Sequence, residues 1–314
     1  MKRFFVPIIF VFLGIAIVSI PNFSSYIDTS SFYFDLAKFL KDYPGFTYPI
    51  GIAFTLGGVA YSFLNIFDVI REKTVFIIQK SDEDDYGSVD LHFPKYTIGN
   101  RDELVYENII TLNNHEKSIV DLEKKKIVRF YNRVEPKKKI AFLAISPMPT
   151  LVYAGYTVGD SGRKMAFYHW DRDKAKVVKL RHFGTNEELN EDKTIITNSH
   201  DYVLCISTSY LINQETVIKQ FNGFYIKFYR LSNPHYNSIK TISSIHNIAN
   251  YVRDRIAELP SGSCVHLLLS CSSEMCFAIG QKLNSPALPT IKVYNLGKNK
   301  NNENYWDWNI DLRH

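Results

Sequence analysis

Residues 264–295 read CVHLLLSCSSEMCFAIGQKLNSPALPTIKVYN. An apolar run, Val265 to Leu269, ends in a small-residue turn, Ser270-Cys271-Ser272-Ser273. A helical stretch with Gly280 inside it follows, then a second apolar run closing on Val293-Tyr294-Asn295. Residues 141–169, AFLAISPMPTLVYAGYTVGDSGRKMAFYH, repeat the plan with an apolar run to Ile145, a Ser146-Pro147-Met148-Pro149 turn, a stretch containing Gly155, and a run ending Phe167-Tyr168-His169. The copies lie about 125 residues apart, so this is one duplication and no short-period solenoid. Strand, tight turn, helix and strand make the βαβ unit of a parallel sheet covered by helices, which predicts an α/β fold. In such sheets ligands settle beyond the carboxyl ends of the strands, where helix N-termini also point. Two copies predict two such rims, facing one shared ligand.

The 314 residues leave room for one or two domains. A net charge of +5 spread over 37 basic and 32 acidic side chains gives no nucleic-acid groove and argues against a DNA or RNA polymer as partner. The charges are unevenly placed, with few in the first seventy residues. Phe4 to Ile20 is an uncharged apolar run after Lys2-Arg3, and Tyr48 to Val69 is a second, with Asn65 and Asp68 near its end. Each is long enough for a membrane-spanning helix. The first alone has the composition of a secretory signal peptide, but Ser19-Ile20-Pro21-Asn22 lacks a small-x-small cleavage site. Two retained spans, about 4–20 and 48–70 within a region 1–72, are the expectation. Lys2 and Arg3 before the first span and Arg71 and Lys73 after the second put both termini in the cytosol. Between the spans, 31–40 is a short helical candidate capped by Ser30 or Ser31 and stopped before Pro44-Gly45. Ala53 and Gly57, and Gly58 and Ser62, stand four apart, a spacing at which small residues let helices approach.

From Thr74 onward the chain alternates strand and helix. Thr74 to Gln79 is a strand, 80–87 an acidic turn, and Leu112 to Phe130 has helical spacing through Ile119, Leu122, Ile127 and Phe130; residues 88–110 give no clear pattern. The polar stretch Gly184 to Lys193 separates a first half, about 73–183, from a second, about 194–314. Tyr202 to Ser207 is a buried strand and Phe224 to Tyr229 another. Ser238 to Glu258 is a helix with isoleucine or valine at every third or fourth position, and Tyr305-Trp306-Asp307-Trp308 lies on the last strand.

No catalytic signature is present: there is no G-x-S-x-G elbow, Walker loop, H-E-x-x-H or G-x-G-x-x-G. His200-Asp201 and His169-Trp170-Asp171 place a base near a carboxylate, but neighbours on a strand point to opposite faces. Cys205, Cys264, Cys271 and Cys276 lack C-x2-C spacing, so a zinc site with His266 is disfavoured against core thiols in a reducing compartment. No metal and no cofactor is expected. The strand ends do offer hydroxyls, amides and rings suited to phosphates and bases. The candidate ligand-binding residues are Ser146, Pro147, Tyr168, His169, Trp170, Ser207, Thr208, Ser209, Ser270, Cys271, Ser272, Ser273 and Tyr294. For any single one the plainer alternative is a helix cap or, for Tyr168 and Tyr294, a core ring.

The repeated strand, turn, Gly-containing helix and Val-Tyr strand end, with Tyr305-Trp306, Phe167 to Arg172 and Ile206 to Ser209, resemble SAVED domains over roughly residues 75–314. That resemblance implies two fused CARF-like Rossmann-type subdomains and recognition of a cyclic di- or trinucleotide made during phage infection. Two spans ahead of it resemble the transmembrane effectors of bacterial CBASS antiphage systems. It implies a non-enzymatic receptor of the inner membrane that self-associates on its ligand and disrupts that membrane in abortive infection. Cys271 stands where the resemblance leads one to expect proline or alanine, which leaves base preference open. A membrane-anchored enzyme that cleaves its cyclic ligand, with His169 or a rim serine near the scissile phosphate, and an anchored protein-binding scaffold are the alternatives.

Overall fold

The apolar runs on either side of each small-residue turn form neighbouring parallel strands, as the βαβ reading of the repeat requires. The computed structural model describes residues 49, 52–53, 55–59, 74–81, 93, 101–110, 115–134, 139–160, 164–182, 184, 187–298 and 304–312. The chain divides into two units, Met1–Lys73 with Ile98–Asn100, and Thr74–Thr97 with Arg101–His314. All that follows on sheets and cavities concerns the second.

Its first sheet is built from β1 (Thr74–Ser81), β2 (Arg101–Asn108), β3 (Lys139–Ile145), β4 (Met165–Asp171) and β5 (Lys176–Lys179), in the order β2-β1-β3-β4-β5. Helix α1 (Lys117–Asn132) precedes β3, and α2 (Met148–Val158) joins β3 to β4. The second sheet contains β6 (Asn190–Ile195), β7 (Asp201–Ser207), β8 (Tyr225–Arg230), β9 (Cys264–Ser270), β10 (Thr290–Lys298) and β11 (Asn304–Asp311), in the order β11-β10-β9-β7-β8-β6. Here α3 (Gln214–Gln220) precedes β8, α4 (Ile242–Ala257) precedes β9, and α5 (Ser273–Leu283) joins β9 to β10.

Taken from β2 to β5 and from β8 to β11, the two orders are equivalent, and in each the last strand turns back antiparallel. Helices α1 and α4 have 16 residues each, and α2 and α5 have 11. The duplication legible over 141–169 therefore extends across each sheet and its helices. Beyond the βαβ stretch the copies share a plan but few residues, which is why the sequence shows only part of it.

Both sheets are apolar on both faces. Along the first, Val75, Ile77, Ile140, Phe142 and Phe167 enter one cluster, while Phe76, Ile78, Ala141, Leu143 and Tyr168 enter another. Burial on two faces produces the continuous apolar runs of a parallel sheet. Strand β2 breaks this pattern, so residues 101–108 carry no clear strand signal in sequence. Its Val105 is exposed, whereas Tyr106 and Asn108 are buried and hydrogen-bonded. The strand β6, at the edge of its sheet, and the short helix α3 likewise carry no clear sequence pattern. Helix α4 starts at Ile242 and not Ser238, because Thr241 caps it by accepting the Ser244 N–H at 3.1 Å.

The two halves meet through α2 and α5, each of which also packs on strands of the other half: α5 on β3 and β4, α2 on β10 and β11. A Cβ on Gly155 would lie 1.9 Å from the Phe277 carbonyl oxygen, and one on Gly280 would lie 2.0 Å from the Val152 carbonyl oxygen. The paired glycines are thus the crossing point of equivalent helices, where only a missing side chain lets backbones touch. Phe277 passes into the first half, its ring 4.1 Å from Phe142 and 6.3 Å from Phe167 between centroids.

The expectation of two membrane spans is corrected. Among the described residues no helix is long and apolar enough to cross a membrane. The stretch 4–20, the signal-peptide alternative and the helix at 31–40 lie outside the described residues. Of 48–70, residues 49, 52–53 and 55–59 are described as helix. Spanning needs about 20 consecutive apolar residues in one helix, and an apolar composition does not by itself supply that continuity. Nothing among the described residues comes within 4 Å of a Cβ built on Gly57. The multi-pass inner-membrane location, the membrane as partner and the membrane-disrupting effector mode fall with the spans.

Candidate ligand-binding cavity

The turns ending β3 and β9 lie at the carboxyl ends of their sheets, and between them opens a cavity of about 520 Å³. Buried polar contacts hold each turn. In the first half Tyr131 donates to Gln79 Oε1 at 2.9 Å, Gln79 to Asn108 Oδ1 at 3.3 Å, and Asn108 to Thr150 Oγ1 at 3.3 Å. Thr150 in turn donates to the Pro147 carbonyl at 2.7 Å, so a relay from α1 fixes the start of α2. In the second half the Thr208 and Ser209 N–H groups donate to the Ser270 carbonyl at 2.9 and 2.8 Å. Ser270 Oγ accepts from Tyr210 N–H at 3.2 Å, and Ser207 Oγ accepts from Ile212 N–H at 3.1 Å.

Of the residues singled out in the sequence, Ser146, His169, Trp170, Ser209, Ser270, Cys271, Ser272 and Ser273 line this one cavity. Pro147 caps α2 beside it. Ser207 and Thr208 are buried. Tyr168 points to the other face of its sheet, where its ring packs edge-on against Phe93 at 5.0 Å between centroids. Alternation along β4 explains this, because Phe167 and His169 share one face and Tyr168 takes the opposite one. Tyr294 lies elsewhere, with its hydroxyl 2.8 Å from His266 Nδ1 and its ring among Phe221 and His266.

Two buried polar atoms of the cavity residues, Ser146 Oγ and His169 Nδ1, have no hydrogen-bond partner. Such orphans are uncommon in folded chains. Burial holds His169 below the usual histidine range, so its ring is neutral. Arg172, Tyr210 and Tyr236 complete the mouth. The Arg172 guanidinium donates to the Tyr210 hydroxyl at 3.4 Å and stands 5.9 Å from the Tyr236 ring centroid. Arg172 and Tyr210 stand in stretches whose neighbours were singled out, yet Tyr236 had no signal: it follows β8 in a loop that only the tertiary fold brings round. A second cavity of about 700 Å³ shares His169 and carries Lys174, Lys179, Arg181 and Lys240.

The sequence-adjacent pairs make no dyad. Asp171 is engaged by Lys174 at 2.9 Å, and burial does not set its charge; the Lys174 contact holds it below the ordinary carboxylate range. Asp201 Oδ1 lies 3.3 Å from His266 Nε2 instead of meeting His200. Asp201, Cys264 and His266 come close enough to share a metal ion, a grouping that sequence spacing hides because Asp201 is on another strand. Tyr294 and Asp201 between them satisfy both nitrogens of that ring without an ion.

Two equivalent parallel-sheet halves, joined by their helices with a cavity at the strand ends, make a duplicated fold of Rossmann type. The family model described as "SMODS-associated and fused to various effectors sensor domain", SAVED, matches residues 124–311, and the chain belongs to that family. No curated relative matches the chain. Among solved structures, the Acinetobacter baumannii Cap4 SAVED/CARF-domain containing receptor with the cyclic trinucleotide 3'3'3'-cAAA is similar in fold, with a TM-score of 0.50 at 10% identity over 88% of this chain. The Moraxella osloensis Cap4 SAVED/CARF-domain containing receptor gives 0.46 at 10% identity over 87%. This chain covers 62% and 60% of those two chains respectively.

Proposed function

We propose that this chain is a non-enzymatic receptor for a cyclic oligonucleotide of two or three nucleotides, bound between the halves 73–183 and 194–314, and that binding drives its self-association. The observation that carries the reading is the pair of orphaned buried atoms, Ser146 Oγ and His169 Nδ1, among residues of one cavity at the paired strand ends. The cavity volume falls in the range of small-ligand sites. Tyr210 and Tyr236 offer faces for bases, while Arg172 and the lysines of the adjoining cavity offer charge to phosphates. The sensor description of the family and the cyclic trinucleotide named with the Acinetobacter baumannii Cap4 structure support the same ligand class. A ligand drives assembly only by binding the assembled form more tightly than the free one.

The test is calorimetric titration of the chain with a panel of cyclic di- and trinucleotides, together with sedimentation of the same mixtures. One of them binds, and the sedimenting species grows with it. Ser146→Ala removes a buried hydroxyl that has no partner in the free chain, so stability holds or rises while affinity falls about tenfold, the worth of one hydrogen bond. A wild-type chain that binds no member of the panel refutes the reading.

A further inference from the structure

Asp201 and Cys264 open the parallel strands β7 and β9 and stand opposite each other in register, and His266 follows two positions along β9. Residues so placed point to one face of a sheet, and their carboxylate oxygen, thiol sulfur and imidazole nitrogen all lie within 4.8 Å of one another. His266 Nε2 is 3.3 Å from Asp201 Oδ1. A hydrogen bond to a carboxylate closes to about 2.8 Å, whereas the edge of a tetrahedron with metal–ligand bonds of about 2.0 Å is roughly 3.3 Å. The edge to a sulfur ligand is about 3.6 Å, reached by a side-chain adjustment of roughly 1 Å.

The surroundings suit a divalent ion. The other ring nitrogen, Nδ1, is 2.8 Å from the Tyr294 hydroxyl, which can donate or accept and so holds the ring with Nε2 turned to Asp201. A partner on the far nitrogen is the support that metal-binding histidines have as a rule. Burial keeps His266 below the usual histidine range, so its ring is neutral, and raises the Cys264 thiol, which gives its proton to solvent when a metal takes the sulfur. Asp201 and the thiolate together cancel two positive charges, and the neighbouring Lys292 and Asp311, opposite each other on β10 and β11, cancel one another. The Asp201 side chain is 44% exposed, which leaves an ion a path in and a water as its fourth ligand. A donor set of nitrogen, sulfur and oxygen favours zinc over magnesium or calcium, which take oxygen.

We infer that Asp201, Cys264 and His266 form a zinc-binding site that ties β7 to β9 at their amino ends, with Tyr294 as its positioning residue. The site lies at the opposite end of these strands from the cavity and is independent of the receptor reading. It is tested by titrating the reduced, untagged full chain with cobalt(II) and then displacing the cobalt with zinc(II). One equivalent of cobalt brings up a thiolate-to-metal charge-transfer band, zinc abolishes it, and the thermal midpoint rises with zinc and not with magnesium. Cys264→Ser removes the band, and Asp201→Asn weakens binding at least about tenfold. Tyr294→Phe weakens binding about tenfold and keeps the band, as loss of a group that only orients the ring requires. Cys205→Ala, which removes a thiol buried elsewhere on β7, leaves band and affinity at the wild-type values. A wild-type chain with no thiolate band at a few-fold excess of cobalt overturns the site, as does a band that survives in Cys264→Ser. Full affinity in Asp201→Asn, whose exposed side chain can change without loss of the fold, overturns it too.

Discussion

Replacing Gly280 or Gly155 by alanine places a methyl carbon 2.0 or 1.9 Å from a carbonyl oxygen of the facing helix. Relaxed carbon–oxygen contact needs about 3.3 Å, so α2 and α5 must separate by roughly 1.3 Å. The obstacle is backbone on both sides, and no rotamer change relieves it. Opening a gap of that size forfeits about half the dispersion energy of each facing pair, and an overpacked core costs about 3 kcal/mol in such a case. Alanine returns about 1 kcal/mol of helix propensity, leaving a net loss of roughly 2 kcal/mol. For a unit of this size that lowers Tm by about 4–8 °C. Calorimetry of each single variant and of the double variant measures it. The double variant loses less than the sum, because one separation relieves both clashes. Both turns that line the cavity lead into these helices, so under the proposed receptor function affinity for the cyclic oligonucleotide falls with stability. A rise in Tm, which helix propensity alone gives, would refute the close crossing.

Three further outcomes follow from side chains in the same unit. Burial raises Glu274 from its ordinary 4.5 to about 7, so its contribution to stability is complete below pH 4.5 and is lost as pH climbs through 7. Urea unfolding across that window shows wild type losing about 3 kcal/mol relative to Glu274→Gln, and parallel pH profiles contradict it. Glu123 accepts the Tyr106 hydroxyl at 2.6 Å and the Ile109 N–H at 2.9 Å in the core, so Glu123→Ala strands two donors and costs about 3 kcal/mol, read as a lower denaturation midpoint at unchanged m-value. Tyr294→Phe removes a hydroxyl bonded to His266, away from the cavity residues, so ligand affinity measured by titration stays at the wild-type value; a tenfold loss would place Tyr294 in the site.

The parallel α/β architecture was legible because a strand buried on both faces must be apolar without interruption, and Val265 to Leu269 and Ala141 to Ile145 are. The paired glycines were visible as letters in the two copies, but their role as the helix crossing was not, since nothing in either copy says that its helix meets the other. The site divided along similar lines. Hydroxyls after β3, β7 and β9 could be placed on the rims from strand polarity alone. Whether Tyr168 or His169 faces the cavity depended on which face of β4 looks inward, and a strand with two apolar faces hides that choice.

The first seventy residues teach the opposite lesson. Apolar composition there read as two spans, yet no described helix has the length to cross a membrane. Glu274 shows the same limit within the core: from sequence it is an acid in a first helical turn, where the helix dipole welcomes it. Local sequence fixes which faces can be buried and where strands must end, because those follow from side-chain polarity and backbone period. Tertiary structure decided that two equivalent helices cross at their glycines, bringing the turns after β3 and β9 to one cavity. Those contacts join residues more than a hundred positions apart, and their energies depend on shape and desolvation, which a linear pattern does not carry.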